Sequence, residues 1–215
     1  MKKIGFSLLP YQSTVYSSII KALQDMSVDI FEFPYFEIDR IDSTIKNIKP
    51  HSVHALKSLL FLEDDIFICE VYKLRAFCEK ISCSKIVVHP NNNYYKNIKC
   101  FEIIKKLLPE YSICVENTIL DMNSITKLVD EYDFSYVWDC AHAVFYKHKI
   151  STYLERINYF HVRGYSRQQR YTSLANSEKI KYPDIDDKVY MLEYPYNNIH
   201  DILVDIKKMK SVIKE

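Results

Sequence analysis

Short runs rich in Val, Ile, Phe and Tyr recur at 3–9, 28–33, 52–56, 85–89, 112–116, 136–139, 159–162 and 189–193. They are too continuously apolar for half-exposed sheet, and read as strands buried on both faces. Amphipathic stretches lie between them. Residues 15–26 follow a Ser13-Thr14 cap and carry Ile19, Ile20, Leu23 and Met26 at helical spacing. Further helices are expected over 64–80, 97–108 (stopping before Pro109), 123–132, 151–157 and 198–214. The connections near 37–50 and 174–188 read as irregular. Eight strands with helices between them predict a parallel sheet, and eight is the number that closes a (β/α)8 TIM barrel. No Pro-, Ser- or charge-rich linker and no internal repeat interrupts the pattern, so residues 1–215 are expected to form a single α/β barrel domain, with some outer helices abbreviated.

Composition narrows the chemistry. Of 215 residues, 48% are hydrophobic and 27% charged, the balance of a globular protein rather than a disordered one. Lys plus Arg is 29 against 28 for Asp plus Glu, so no basic excess supports binding to a nucleic-acid backbone. Only two glycines occur, Gly5 and Gly164. A dinucleotide-binding turn needs three close together and a P-loop needs two, so a glycine cradle for phosphates is excluded. Six cysteines, at 69, 78, 83, 100, 114 and 140, form no C-x-x-C pair and read as reduced thiols. The opening Met1-Lys2-Lys3 and apolar run are broken by Gly5, Ser7 and Pro10, and read as a first strand rather than a leader. No run approaches the ~20 apolar residues of a membrane span. A soluble, cytoplasmic protein with no membrane partner is expected.

In such a barrel the reactive groups sit where strands meet the loops that follow them. Those positions hold His54, His89, Glu116, Asp139, His161 and Glu193, separated by 35, 27, 23, 22 and 32 residues, about one strand-helix unit each. Glu32 occupies the corresponding end of the second strand. The pairs Val87/His89, Cys114/Glu116, Val137/Asp139, Tyr159/His161 and Met191/Glu193 are two residues apart, so each apolar member would fill the barrel below its polar partner. A lone histidine at a strand end is usually a hydrogen-bonded structural residue. Six such positions converging on one rim would be costly without a cation, because buried like charges repel and lose hydration. Mixed His and carboxylate ligands suit Zn2+ or Mn2+ better than Ca2+.

His142, three residues after Asp139, is expected at the same mouth, either touching substrate or capping. His51, His148 and His200 fall outside the pattern and are expected at the surface. Lys207, Lys208 and Lys210 read as a solvated helix face. Arg163, Arg167 and Arg170 follow His161 closely. They make either an ordinary charged loop or a clamp for a phosphate or carboxylate, which guanidinium groups bind with paired donors.

The ordered strings Ser52-Val-His-Ala55, Val87-Val-His-Pro90, Val115-Glu-Asn117, Trp138-Asp-Cys-Ala-His-Ala143, Phe160-His-Val-Arg-Gly164 and Met191-Leu-Glu-Tyr194 resemble the xylose isomerase-like barrel superfamily, over nearly the whole chain. Sugar isomerases, epimerases and endonuclease IV enzymes belong to it. The resemblance implies one divalent ion, Mn2+ or Zn2+ with Co2+ and Mg2+ as further choices, on Glu116, Asp139, His161 and Glu193. In the isomerases, residues matching Glu116 and Glu193 face opposite sides of the substrate and pass a proton as base and acid. In the endonuclease IV branch, residues matching His54 and His89 join Glu116 in a further zinc site, and His142 belongs to a third. That third site also needs an Asp and a His where this chain reads Gln169-Arg-Tyr-Thr172. The departure argues against an abasic-DNA nuclease.

The leading expectation is a metal-dependent isomerase or epimerase of a sugar or sugar phosphate, working through an enediolate. His142, Arg163 and Arg167 would contact the substrate. The second is a two-metal phosphodiesterase on a small substrate, such as the cobamide-remodelling branch of the same barrel. The third is a non-catalytic binding barrel, against which the complete set of four core ligands speaks.

Overall fold

A computed structural model describes residues 2–9, 15–35, 48, 50–150, 154–164, 172–177, 183, 185–194 and 198–214. All eight expected strands form: β1 (Lys3–Ser7), β2 (Phe31–Pro34), β3 (Ser52–His54), β4 (Lys85–Val88), β5 (Ser112–Glu116), β6 (Ser135–Asp139), β7 (Ile157–Val162) and β8 (Val189–Leu192). Each pairs in parallel with the next, and β8 pairs with β1, closing the (β/α)8 TIM barrel. The described α-helices are α1 (Tyr16–Gln24), α2 (Asp64–Lys80), α3 (Tyr94–Leu107), α4 (Met122–Tyr132), α5 (Cys140–Tyr146) and α6 (Ile199–Lys214). None of them is long and apolar enough to cross a membrane.

Three helix boundaries differ from expectation for local reasons. α1 begins after Val15 with no side-chain cap, and the Ser13-Thr14 pair lies outside the described residues. α3 starts three residues early, because the Asn93 side chain accepts from the Lys96 amide and satisfies one of the unpaired N–H groups of the first turn. The helix expected over 151–157 is absent where described: 154–156 make one 3-10 turn and 157 already begins β7. The helix of this unit is α5, which starts directly at the end of β6. Asp139 terminates the strand and caps the helix, its carboxylate accepting from the His142 amide at 2.8 Å. Seven residues with small Ala and Cys among them carry too little periodicity to announce a helix.

The core has two shells. The larger lies between sheet and helices, with Ile19, Ile20 and Leu23 of α1 and Phe67, Val71, Leu74 and Phe77 of α2 buried at helical spacing. The smaller fills the barrel: Val87, Cys114, Val137, Tyr159, Val189 and Met191, with Ile30 packed against them. Five of these are the expected apolar partners of the strand-end residues, so parity along the strands decides which side chains plug the barrel. Both glycines mark close approaches. A Cβ on Gly5 would meet the Met191 sulfur at 2.8 Å, and one on Gly164 would meet the Ser173 carbonyl oxygen at 2.2 Å. Gly164 and Thr172 form a short antiparallel bridge, each amide donating to the other's carbonyl. None of the six cysteines forms a disulfide, and only Cys69 of the six is exposed.

The floor of the barrel corrects one expectation. His51 is half-buried rather than exposed: its ring packs edge-on against Tyr159 and its Nε2 lies 3.1 Å from the Lys85 ammonium, which also donates to Asn158 Oδ1 at 2.7 Å. His148 is half-buried beside Trp138, and His200 is exposed as expected. Burial, then the Lys85 charge, pushes the His51 pKa down to about 4. Below pH ~6.5 the unfolded chain therefore binds a proton that the folded chain refuses, down to pH about 4. Stability from this site is complete above that window and is lost as pH falls through it, by at most ~3 kcal/mol before the residue's partial exposure is discounted. Urea denaturation of the parent and His51→Gln between pH 4 and 7 should show a shallower slope in the variant. Identical slopes would remove His51 as the source.

Candidate metal centre

The register sets the heights of the strand-end residues. Asp139 and His161 are direct partners in the β6–β7 ladder, and His54 is level with Val87, two residues below His89. Asn117, just past β5, ties two of these ends together. Its Oδ1 accepts from the Asp139 amide at 2.5 Å and its Nδ2 donates to the Asp139 carbonyl at 3.1 Å, continuing the ladder with a side chain. The sequence offered Asn117 only as part of a Glu-Asn string, and its work depends on the neighbouring strand. Asp139 spends Oδ1 on the α5 cap, which leaves Oδ2 facing the mouth.

All six expected residues meet there, in two groups that share Glu116. Glu116, Asp139, His161 and Glu193 form one, and His54, His89 and Glu116 the other, with one donor atom from each residue lying within 4.8 Å of the rest of its group. In the first, His161 Nδ1 lies 3.0 Å from Glu193 Oε2 and 3.6 Å from Glu116 Oε2. In the second, His54 Nε2 and His89 Nε2 lie 3.1 Å and 2.7 Å from Glu116 Oε2, and 3.1 Å from each other. His54 Nδ1 is 2.9 Å from the Ala55 carbonyl, which can only accept, so that nitrogen carries a proton and Nε2 is the edge turned to the group. Donor atoms on a tetrahedral ion with bonds of ~2.0–2.1 Å stand about 3.3 Å apart, close to these spacings.

The residues fit a cation by a second criterion. Asp139 Oδ2, Glu193 Oε2 and both ring nitrogens of His161 are fully buried and meet only charge contacts, Nδ1 with Glu193 Oε2, Nε2 with Glu32 Oε1 and Asp139 Oδ2 with Arg163, none with hydrogen-bond geometry. Buried polar atoms are normally satisfied, and a divalent ion is the partner that two carboxylate oxygens and an imidazole lone pair accept together. Arg163 approaches this group from the side, as a charge contact to Asp139 Oδ2 and at 3.4 Å from Glu193 Oε1. His142 borders both groups, its Nδ1 3.3 Å from Glu116 Oε1 and 3.9 Å from Asp139 Oδ2. Its Nδ1 lies 3.1 Å from the Asn117 carbonyl and its Nε2 is 3.2 Å from the Arg163 guanidinium. Arg167 and Arg170 lie outside the described residues.

Glu32 is where the structure departs from the strand-end pattern. Pro34, not Glu32, is level with His54, and Glu32 pairs in register with Ser7 and Ser52. It therefore sits beneath the metal-capable groups rather than among them. Ser7 donates to its Oε1 at 3.0 Å, Ser52 to its Oε2 at 2.9 Å, and the Tyr159 hydroxyl also donates to Oε2. Burial opposes charge on Glu32, but His161, His54 and the Tyr159 hydroxyl hold its pKa down to about 2. Burial likewise opposes charge on Glu116, and the His89 and His161 charges outweigh it, keeping Glu116 well below the carboxylate range. Glu193 is lowered against its burial by Arg163 and His161. Three carboxylates thus remain anionic at and below the mouth, which makes it attractive to cations.

No family model matches the chain, and no curated protein matches it in sequence. Solved structures match its shape. Endonuclease IV from Thermus thermophilus superposes with a TM-score of 0.70 at 14% identity, covering 99% of both chains. A D-tagatose 3-epimerase-like protein gives 0.67 at 15% identity, over 99% of this chain and 98% of the other. A fusion protein of a xylose isomerase-like TIM barrel and a 4-hydroxyphenylpyruvate dioxygenase gives 0.67 at 9% identity, over 92% of this chain and 39% of the other. The fold is a (β/α)8 TIM barrel of the shape these structures share. At these identities the likeness establishes architecture, and the chemistry has to be argued from the side chains.

Proposed function

We propose that this chain is a hydrolase that uses two divalent ions, Zn2+ foremost, on a small phosphodiester. The observation that carries the reading is the sharing of Glu116. One carboxylate serves both His54 with His89 and Asp139 with His161 and Glu193, and a bridging carboxylate is what holds two ions side by side. Bound ions would supply charge stabilisation to the attacking and leaving oxygens of an in-line displacement. The protein's own part is positional. Asn117 locks the end of β5 to that of β6, the Ala55 carbonyl fixes the His54 tautomer, and Arg163 offers guanidinium donors to an anionic substrate beside Glu193. Arg167 is assigned the same work from its place in the chain, and His142 would orient the substrate through Arg163. A small, phosphorylated, cytoplasmic substrate is the proposed partner, since the net charge of +1 supports no extended nucleic-acid footprint.

A second reading, proton transfer on a sugar or sugar phosphate by Glu116 and Glu193 over one ion of Mn2+ or Zn2+ (Co2+ or Mg2+ as substitutes), is favoured by the compactness of the four-residue group alone. His89→Ala separates the two. With two ions the variant should retain about half the parent's metal by elemental mass spectrometry and lose phosphodiesterase activity. Unchanged metal content at one ion per chain would overturn the hydrolase in favour of the isomerase.

A further inference from the structure

The buried carboxylate below the metal-capable groups has no part in the proposed chemistry, yet it is built with care. Ser7, Glu32 and Ser52 stand side by side on β1, β2 and β3, because the parallel register aligns them. Tyr159 crosses the barrel to the same carboxylate, and stands two residues before His161 on β7, so tyrosine and histidine share the inward face. Three hydroxyls thus hold Glu32 at zero exposure. The His161 ring lies directly above it, with Nε2 at 3.0 Å from Glu32 Oε1 and Nδ1 at 3.0 Å from Glu193 Oε2. The two edges of one imidazole therefore face two different carboxylates, one in the barrel interior and one in the metal-capable group.

We propose that Glu32 is the positioning residue of the metal centre: it takes the Nε2 edge of His161 and leaves Nδ1 as the edge that meets the ion. A neutral imidazole carries its proton on one nitrogen only; both edges of His161 face carboxylates, and once an ion takes the Nδ1 edge the proton stays on the Nε2 edge that faces Glu32. Glu32 is anchored by hydroxyls that donate to it, so it has accepting capacity left for Nε2–H and no means of turning away. Without it His161 could present either nitrogen, and the ring would be free to tilt. Outer partners of this kind typically contribute 10- to 100-fold in metal affinity. Ser7, Ser52 and Tyr159 act one step further out, by fixing the carboxylate.

This inference rests on the reading that Glu116, Asp139, His161 and Glu193 bind a divalent ion, and the test keeps the two apart. Zn2+ and Mn2+ are titrated into metal-free parent and Glu32→Gln against a competing chelator, and the histidine 15N shifts of both are recorded. The parent is expected to bind, with His161 protonated at Nε2. Glu32→Gln is expected to bind about 10- to 100-fold more weakly and to show mixed His161 tautomers. Tautomer and affinity together distinguish positioning from a general loss of packing. Ser52→Ala, which loosens the carboxylate without removing it, should give a smaller weakening in the same direction, and serves if Glu32→Gln does not fold. A parent that binds, beside variants with parental affinity and His161 shifts, would overturn the role of Glu32 alone. A parent that takes up neither ion would overturn the metal reading itself.

Discussion

Glu116→Gln is expected to release both ions and to lower turnover by about 100- to 10,000-fold, the span associated with losing a positioned acid-base group. The substitution keeps the shape of the side chain and removes its charge. Its Oε2 is the atom approached by His54, His89 and His161, at 3.1, 2.7 and 3.6 Å. A neutral amide there would direct either a weak carbonyl oxygen or an N–H at the ions, and the second would repel them outright. Because the carboxylate belongs to both groups, neither is left with its full set of donors, whereas His89→Ala breaks only one. Metal per chain by elemental mass spectrometry is the direct readout, on protein purified without chelator or metal-affinity resin. A Glu116→Gln protein carrying the parent's complement of metal, with near-parental activity, would sink both proposed mechanisms, since each gives this residue an essential task.

Stripping metal should also destabilise the fold, and by an amount easily seen. Glu32, Glu116, Asp139 and Glu193 are all buried, and among the described residues Arg163 and the histidines stand between them as counter-charges. An ion that binds the folded chain alone stabilises it by mass action, about 4 kcal/mol when present at a thousand times its dissociation constant. In a chain of this size each kcal/mol moves the midpoint by roughly 2–4 °C, so chelation is expected to lower Tm by on the order of 10 °C. Trp138, the one tryptophan, lies buried on β6 next to Asp139 and reports the transition by fluorescence. Re-addition of Zn2+ or Mn2+ should restore the midpoint. An identical Tm with and without chelator would mean that the charge cluster is satisfied from within the protein.

Much of the architecture was legible in the chain because its chemistry repeats. A strand buried on both faces must be apolar throughout, so the eight strands stood out, and their order around the barrel follows from right-handed parallel crossovers. α5 did not stand out. Its start is fixed by a side chain, Asp139, that the pattern had already assigned to metal, and a helix of seven residues carries barely two turns of periodicity. His51 looked like a surface histidine because nothing along the chain tells that Lys85 and Asn158, 34 and 73 residues away in sequence from the partners they meet, close the floor around it.

The candidate centre divides along the same line. Sequence alone determined which residue types end each strand and, through the two-residue period, that they face inward; the six metal-capable groups and the apolar plug beneath them follow from that. Height was left to the tertiary structure. Glu32 carries the same strand-end signature as Glu116, but the β2 register sets it level with Ser7 and Ser52, two residues and roughly 6.6 Å below the level of His54. One glutamate accordingly joins the metal-capable groups and the other reaches the back of a histidine. Asn117 and Arg163 gain their roles in the same way, from partners on adjacent strands. Side-chain direction is a property of the local backbone, whereas height in a barrel is decided by how each strand is staggered against its neighbours, through hydrogen bonds that exist only once the sheet has closed.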